Sequence, residues 1–119
     1  MADILIIDDS RTSRRMLRNI LTENGHNIVA EADNGEIGYN LFVEKKPDIV
    51  TLDITMPVLD GLETLKKIVS YDPDANVVMV TAAGQKDKMV EAIKLGAKEF
   101  IQKPFEPQHI IKIMNSLNL

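Results

Sequence analysis

No cysteine and no tryptophan occur in the 119 residues. Disulfide bridges, thiolate metal centres and cysteine nucleophiles are thereby excluded. Histidine is nearly as scarce, with only His26 and His109, too few for a histidine-rich metal cluster. The apolar runs, such as Ile4-Leu5-Ile6-Ile7, fall far short of the roughly 20 residues a membrane-spanning helix needs. No block of basic residues is present and the net charge is −4, which argues against a nucleic-acid partner. Met1-Ala2-Asp3 carries no basic leader or cleavage signature. No Pro/Ser/Gly-rich linker, low-complexity tract or repeat breaks the chain. These absences leave one compact domain over residues 1–119, cytoplasmic, with neither membrane nor nucleic acid among its partners.

What is present is ordinary in amount and orderly in arrangement. An apolar fraction of 45% beside 27% charged residues suits a globular domain. Five strand-like segments alternate with five helix-like ones. Ile4-Leu5-Ile6-Ile7 is a continuous β-branched run, as expected for a strand covered on both faces. Ser10 can cap a helix whose apolar face includes Met16, Leu17, Ile20 and Leu21, with Gly25 at its stop. Asn27–Ala32 reads as a more polar edge strand. Gly35–Lys46 is predicted helical, with Ile37, Leu41 and Phe42 inward and Pro47 ending it. Ile49-Val50-Thr51-Leu52 forms the third strand, and Met56–Gly61 a loop. Leu62, Leu65, Ile68 and Val69 recur at helical spacing, and Asp72-Pro73-Asp74 is turn chemistry. Val77-Val78-Met79-Val80 is a fourth, buried strand. The next helix carries Met89, Val90 and Ile93 and closes at Gly96. Phe100-Ile101 is a short fifth strand. Pro107 opens a last helix with Ile110, Ile111 and Met114 inward. Strict alternation predicts an α/β fold, a doubly wound parallel sheet with helices on both faces. Ligands of such sheets bind beyond the carboxyl ends of the strands.

At those ends the sequence concentrates its chemistry. The first strand ends in Asp8-Asp9, the third in Asp53, the fourth in Thr81 and the fifth in Lys103-Pro104. Converging carboxylates in a partly dry cleft repel one another, and a hard cation removes the conflict. Mg²⁺ takes one or two carboxylates plus waters and phosphate oxygens, so Asp8, Asp9 and Asp53 are its candidate ligands. Asp8 and Asp9 could instead cap the first helix, but Ser10 suffices for that. Lys103 can pair with Asp53 and later with a phosphate oxygen, and the Thr81 hydroxyl can donate to an anion near Asp53. Taken singly, these two residues read as a surface lysine and a β-branched strand residue.

Together, Ile7-Asp8-Asp9-Ser10, Leu52-Asp53-Ile54-Thr55-Met56-Pro57 with Asp60-Gly61, Val80-Thr81-Ala82 and Gly96 through Phe105 resemble the receiver domains of two-component response regulators. The resemblance covers essentially the whole chain, and within the family the stand-alone chemotaxis regulators match best. It implies a flavodoxin-like five-stranded sheet of order 2-1-3-4-5. It implies that Asp53 is the phosphoacceptor for a sensor histidine kinase. It implies Mg²⁺ on Asp8, Asp9, Asp53 and the backbone carbonyl of Thr55, with Thr81 and Lys103 contacting the phosphoryl group. Phe100 matches the family's aromatic switch position, where tyrosine is common; only packing survives without the hydroxyl. The implied readout face spans Lys86–Leu95, Glu99–Gln102 and Pro107–Leu117, with Lys88, Lys94 and Lys98, and would bind a flagellar motor switch protein or another target. Thr55 and Ala83 flank the approach of hydrolytic water, and Ala83 offers no polar group to orient it. The implied protein is a monomeric phosphoacceptor, catalysing its own phosphorylation and dephosphorylation rather than turning over a separate substrate. A phosphatase is a further possible partner.

Three other readings compete. A flavodoxin-like cofactor binder needs a phosphate-cradling loop after the first strand, but Asp8-Asp9-Ser10-Arg11-Thr12 has no glycine and two repelling carboxylates. An aspartyl-nucleophile phosphatase shares the acids and the lysine, but usually carries a substrate cap for which the chain has little room. A phosphorelay intermediate, passing phosphate to a histidine phosphotransfer protein, shares every motif.

Overall fold

A computed structural model describes residues 2–56 and 58–117. Met1 and Pro57, the latter part of the motif that follows Asp53, lie outside the described residues. The elements in chain order are β1 (Asp3–Ile7), α1 (Arg11–Glu23), β2 (Asn27–Ala32), α2 (Gly35–Lys45), β3 (Ile49–Asp53), α3 (Gly61–Tyr71), β4 (Val77–Thr81), α4 (Lys86–Leu95), β5 (Glu99–Gln102) and α5 (Pro107–Ser116). All four strand pairings are parallel, in the order β2-β1-β3-β4-β5. The expected doubly wound α/β fold is the one observed.

Burial follows from the strand composition. Every residue of β3 and β4 is buried, whereas β2, at the edge, is mostly half-buried. Side chains alternate across a strand, so each central strand feeds two cores. Leu5, Ile7, Val50, Leu52, Val77 and Met79 pack with Phe42, Leu65, Ile68 and Ala92 from α2, α3 and α4. Ile4, Ile6, Ile49 and Val78 pack on the opposite face with Leu17, Leu21, Ile110, Ile113 and Met114 from α1 and α5.

Helix boundaries have local causes. Ser10 accepts the Ser13 N–H at 3.2 Å and caps α1. Asn34 and Asp60 cap α2 and α3 in the same way. Lys46 closes α2 in a left-handed conformation (φ 49°), its N–H donating to the Phe42 carbonyl, and Pro47, which lacks an N–H, cannot continue the helix. Gly38 lets α2 approach β1 closely, since a Cβ there would lie 2.5 Å from Ile7 Cδ1.

Several inward assignments are corrected. Met16 and Ile37 are exposed, at 45% and 47%; Val90 and Ile93 of α4, for which the spacing sets no direction, are exposed as well. On α4 the buried residue is Ala92. On α5 it is Ile113, with Ile110 and Met114, while Ile111 is only half-buried. These residues lie at the margins of the apolar stripes, and the rotation of each helix on the sheet decides which margin is covered.

Candidate functional site

Parallel strands bring their carboxyl ends to one rim, and the register sets which residues meet there. Ile7 pairs with Leu52 and Asp53 with Val80, while Thr81 pairs with Gln102. Asp8, Asp53, Thr81 and Lys103 are therefore neighbours at the ends of β1, β3, β4 and β5. Carboxylate oxygens of Asp8, Asp9 and Asp53 all lie within 4.8 Å of one another. Asp8, Asp53 and Thr81 are buried, and Asp9 is exposed.

Each acid has a distinct environment. Asp8 Oδ1 accepts the Ser10 N–H at 2.9 Å, which fixes the carboxylate plane. Asp8 Oδ2 is buried, has no hydrogen-bond partner and lies 3.4 Å from Lys103 Nζ. The pair is an electrostatic contact without hydrogen-bonding geometry. Burial and then the charge of Asp8 push the Asp53 carboxyl up to about 7, against an opposing pull from Lys103 and with a further push from Asp9. A carboxyl so placed gains from any cation that enters. The orphaned Asp8 Oδ2 and an all-oxygen donor set fit a hard divalent ion better than a softer metal.

Lys103 is the one clear correction at the site. Its nearest acid is Asp8 rather than Asp53; Lys103 and Asp53 interact through their charges. The Lys103 N–H donates to the Thr81 carbonyl at 2.7 Å, which anchors the lysine backbone to the end of β4. Phe100 is half-buried, opposite Met79 in the sheet and packed against the core under α2, α3 and α4. A cavity of about 190 Å³ lies beside Thr81, walled by Gln85, Met89 and Gln102 among others. The face read as a docking surface bears exposed Lys88 and Lys94 on α4, together with Val90 and Ile93, and exposed Lys98 just before β5.

Two contributors, Arg14 and Gln85, lie outside the sequence motifs, and a third, Gly61, stands in one of them without an assigned role. Arg14 donates from a guanidinium nitrogen to the Asp8 carbonyl at 2.6 Å and lies 3.6 Å from Glu31, tying α1 to the rim. Nothing in the sequence separates it from Arg11, Arg15 and Arg18. Gly61 donates its N–H to the Ile54 carbonyl at 2.7 Å, and a Cβ there would collide with the Asp53 carbonyl oxygen; the glycine after a helix cap was the available signal. Gln85 donates to the Thr55 hydroxyl at 2.6 Å and accepts the Ala82 N–H at 2.7 Å. Thr55 and Gln85 are 30 positions apart, and no local pattern announces their contact.

The comparisons with known proteins agree with this geometry. The family model described as "Response regulator receiver domain" matches residues 4–115. The protein named chemotaxis protein CheY of Listeria monocytogenes is 47% identical over 114 residues, covering 96% of both chains. That of Thermotoga maritima is 43% identical over 115 residues, covering 97% of this chain and 96% of the relative. Among solved structures, the CheX-CheY-BeF3-Mg complex from Borrelia burgdorferi superposes with a TM-score of 0.92 at 36% identity, covering 96% of this chain and 87% of that one. The receiver domain of NtrX from Brucella abortus superposes almost as well, at 0.90 and 32% identity, covering 96% of each. On the family match over residues 4–115 and these near-full-length relatives, the chain belongs to the response regulator receiver family, and is a CheY-like receiver of two-component signalling.

Proposed function

We propose that the chain is a cytoplasmic, monomeric signalling switch that takes a phosphoryl group from a sensor histidine kinase onto Asp53. The observation that carries this is the buried Asp53 carboxylate, grouped with Asp8 and Asp9 within 4.8 Å and flanked by the Asp8–Lys103 pair. An Asp53 oxygen attacks the phosphorus of the kinase phosphohistidine. The P–N bond breaks, the imidazole leaves, and an acyl phosphate forms. Phosphoryl transfer asks the protein chiefly for alignment and charge stabilisation. Mg²⁺, held by Asp8, Asp9, Asp53 and the Thr55 carbonyl, would supply charge neutralisation when bound. Lys103 is anchored next to Thr81 and can turn from Asp8 to a phosphoryl oxygen. The Thr81 hydroxyl donates to a second. Movement of Thr81 towards the anion opens space that Phe100 can fill, and the exposed face of α4, β5 and α5 changes with it. Chemistry of this kind makes the chain a self-modifying phosphoacceptor rather than an enzyme of separate substrates.

The relatives named CheY, nearly all of whose length is matched, favour a flagellar motor switch protein as target. The phosphorelay alternative predicts transfer to a histidine phosphotransfer domain. A dedicated phosphatase would bind the phosphorylated form. The test is incubation with acetyl phosphate and Mg²⁺, followed by intact-mass analysis. One added phosphoryl group per chain, absent in Asp53→Asn and under chelation, is expected. Phosphorylation of Asp53→Asn would refute the assignment. Offering the phosphorylated protein to motor switch and phosphotransfer domains then separates the two partners.

A further inference from the structure

Gln85 stands at the N-cap position of α4, yet its side chain makes no cap hydrogen bond. The carboxamide instead turns back across the rim, donating to Thr55 Oγ1 at 2.6 Å and accepting the Ala82 N–H at 2.7 Å. One side chain thus joins the loop after Asp53 to the loop after Thr81. Ala82 N–H is special in this place. The Ile54 N–H is taken by the Val80 carbonyl, and the Thr81 carbonyl is taken by the Lys103 N–H. The strand ladder ends there, so Ala82 N–H is the first backbone donor beyond it, adjoining the Thr81 hydroxyl. An anion built on Asp53 draws on donors at this rim, because an acyl phosphate presents several oxygens and backbone amides are preorganised partners for them. Ala82 N–H cannot serve Gln85 and the anion fully at once.

We propose that Gln85 is a positioning residue that restrains the switch, clamping Thr55 to Ala82 in the unphosphorylated state and yielding the Ala82 amide when an anion occupies Asp53. The proposal rests on Asp53 being the phosphoacceptor. The clamp holds the two loops in their resting arrangement and makes the anion compete for its donor. It adds a carboxamide to the flank of the site where Ala83 has only a methyl group. Both bonds are solvent-accessible, so their combined effect is modest, roughly three- to tenfold in anion affinity.

The experiment is calorimetric titration of beryllofluoride, in saturating Mg²⁺, with separate titrations of Mg²⁺ alone. Gln85→Ala removes no helix cap, so α4 should remain intact. It should bind beryllofluoride about three- to tenfold more tightly than the parent, with unchanged Mg²⁺ affinity. Thr55→Val should shift affinity in the same direction, Thr55→Ser should match the parent, and the Gln85→Ala/Thr55→Val double variant should gain less than the two singles combined. Equal or weaker beryllofluoride binding by Gln85→Ala overturns the clamp, as does an equal gain in Mg²⁺ affinity, which would signal a general rearrangement. A parent that binds no beryllofluoride overturns both the clamp and the Asp53 assignment, whereas a binding parent with an unresponsive Gln85→Ala overturns the clamp alone.

Discussion

Replacing Asp53 by asparagine should stabilise the metal-free protein, and the gain should grow with pH. The carboxyl is buried among like charges, and its pKa is pushed up from the ordinary 3.8 to about 7. Between those two values the folded protein retains a proton that the unfolded chain has released. Stability therefore falls as pH rises through this window and stays low above it. At about 1.4 kcal/mol per pH unit, the full span amounts to about 4 kcal/mol. Asp9 is exposed and water reaches that side of the cluster, so screening reduces the expected gain to about 2–4 kcal/mol at pH 8. Asparagine keeps the shape and cannot ionise. At pH 4.5 little of the window has been crossed, and the gain should shrink to about a quarter of its value at pH 8. Urea unfolding of parent and Asp53→Asn, with chelator, at both pH values measures this directly. Added Mg²⁺ should then raise the parent's stability and narrow the gap, because it binds only the folded cluster. A variant no more stable than the parent at pH 8, or a gain independent of pH, would refute the claim that crowded carboxylates strain the resting fold.

Asp9→Ala should lower Mg²⁺ affinity at least about tenfold by calorimetry, while Asp8 keeps its Ser10 hydrogen bond. Lys103→Arg should retain Mg²⁺ but gain little beryllofluoride-dependent affinity for a target in a pull-down, since a planar guanidinium is not a compact ammonium. Gly61→Ala should cost about 1–3 kcal/mol in urea unfolding and slow phosphorylation by acetyl phosphate, because the new Cβ can be accommodated only by moving the Asp53 backbone or the start of α3.

Much of this molecule can be read along the chain because its strands are short apolar runs, each closed by a chemically distinctive residue. Ile4-Leu5-Ile6-Ile7 followed by two aspartates, or Val77-Val78-Met79-Val80 followed by threonine, announces a buried strand and its rim in one stroke. Caps such as Ser10 are local, since donor and acceptor lie three residues apart. The helix faces were less legible. Met16 and Ile37 fit an inward helical spacing but lie exposed, because helical periodicity defines a stripe and leaves its rotation on the sheet open.

Strand content, alternation, the capped helix starts and the cast of the reactive rim follow from residue order, since each depends on neighbours a few positions apart. Which carboxylate Lys103 meets, how Asp53 acquires its raised pKa, and why Gln85 spans from Thr55 to Ala82 depend on segments brought together through the parallel register and the helix crossovers. Those contacts join residues tens of positions apart, and the distances that give them their energies exist only once the sheet has assembled.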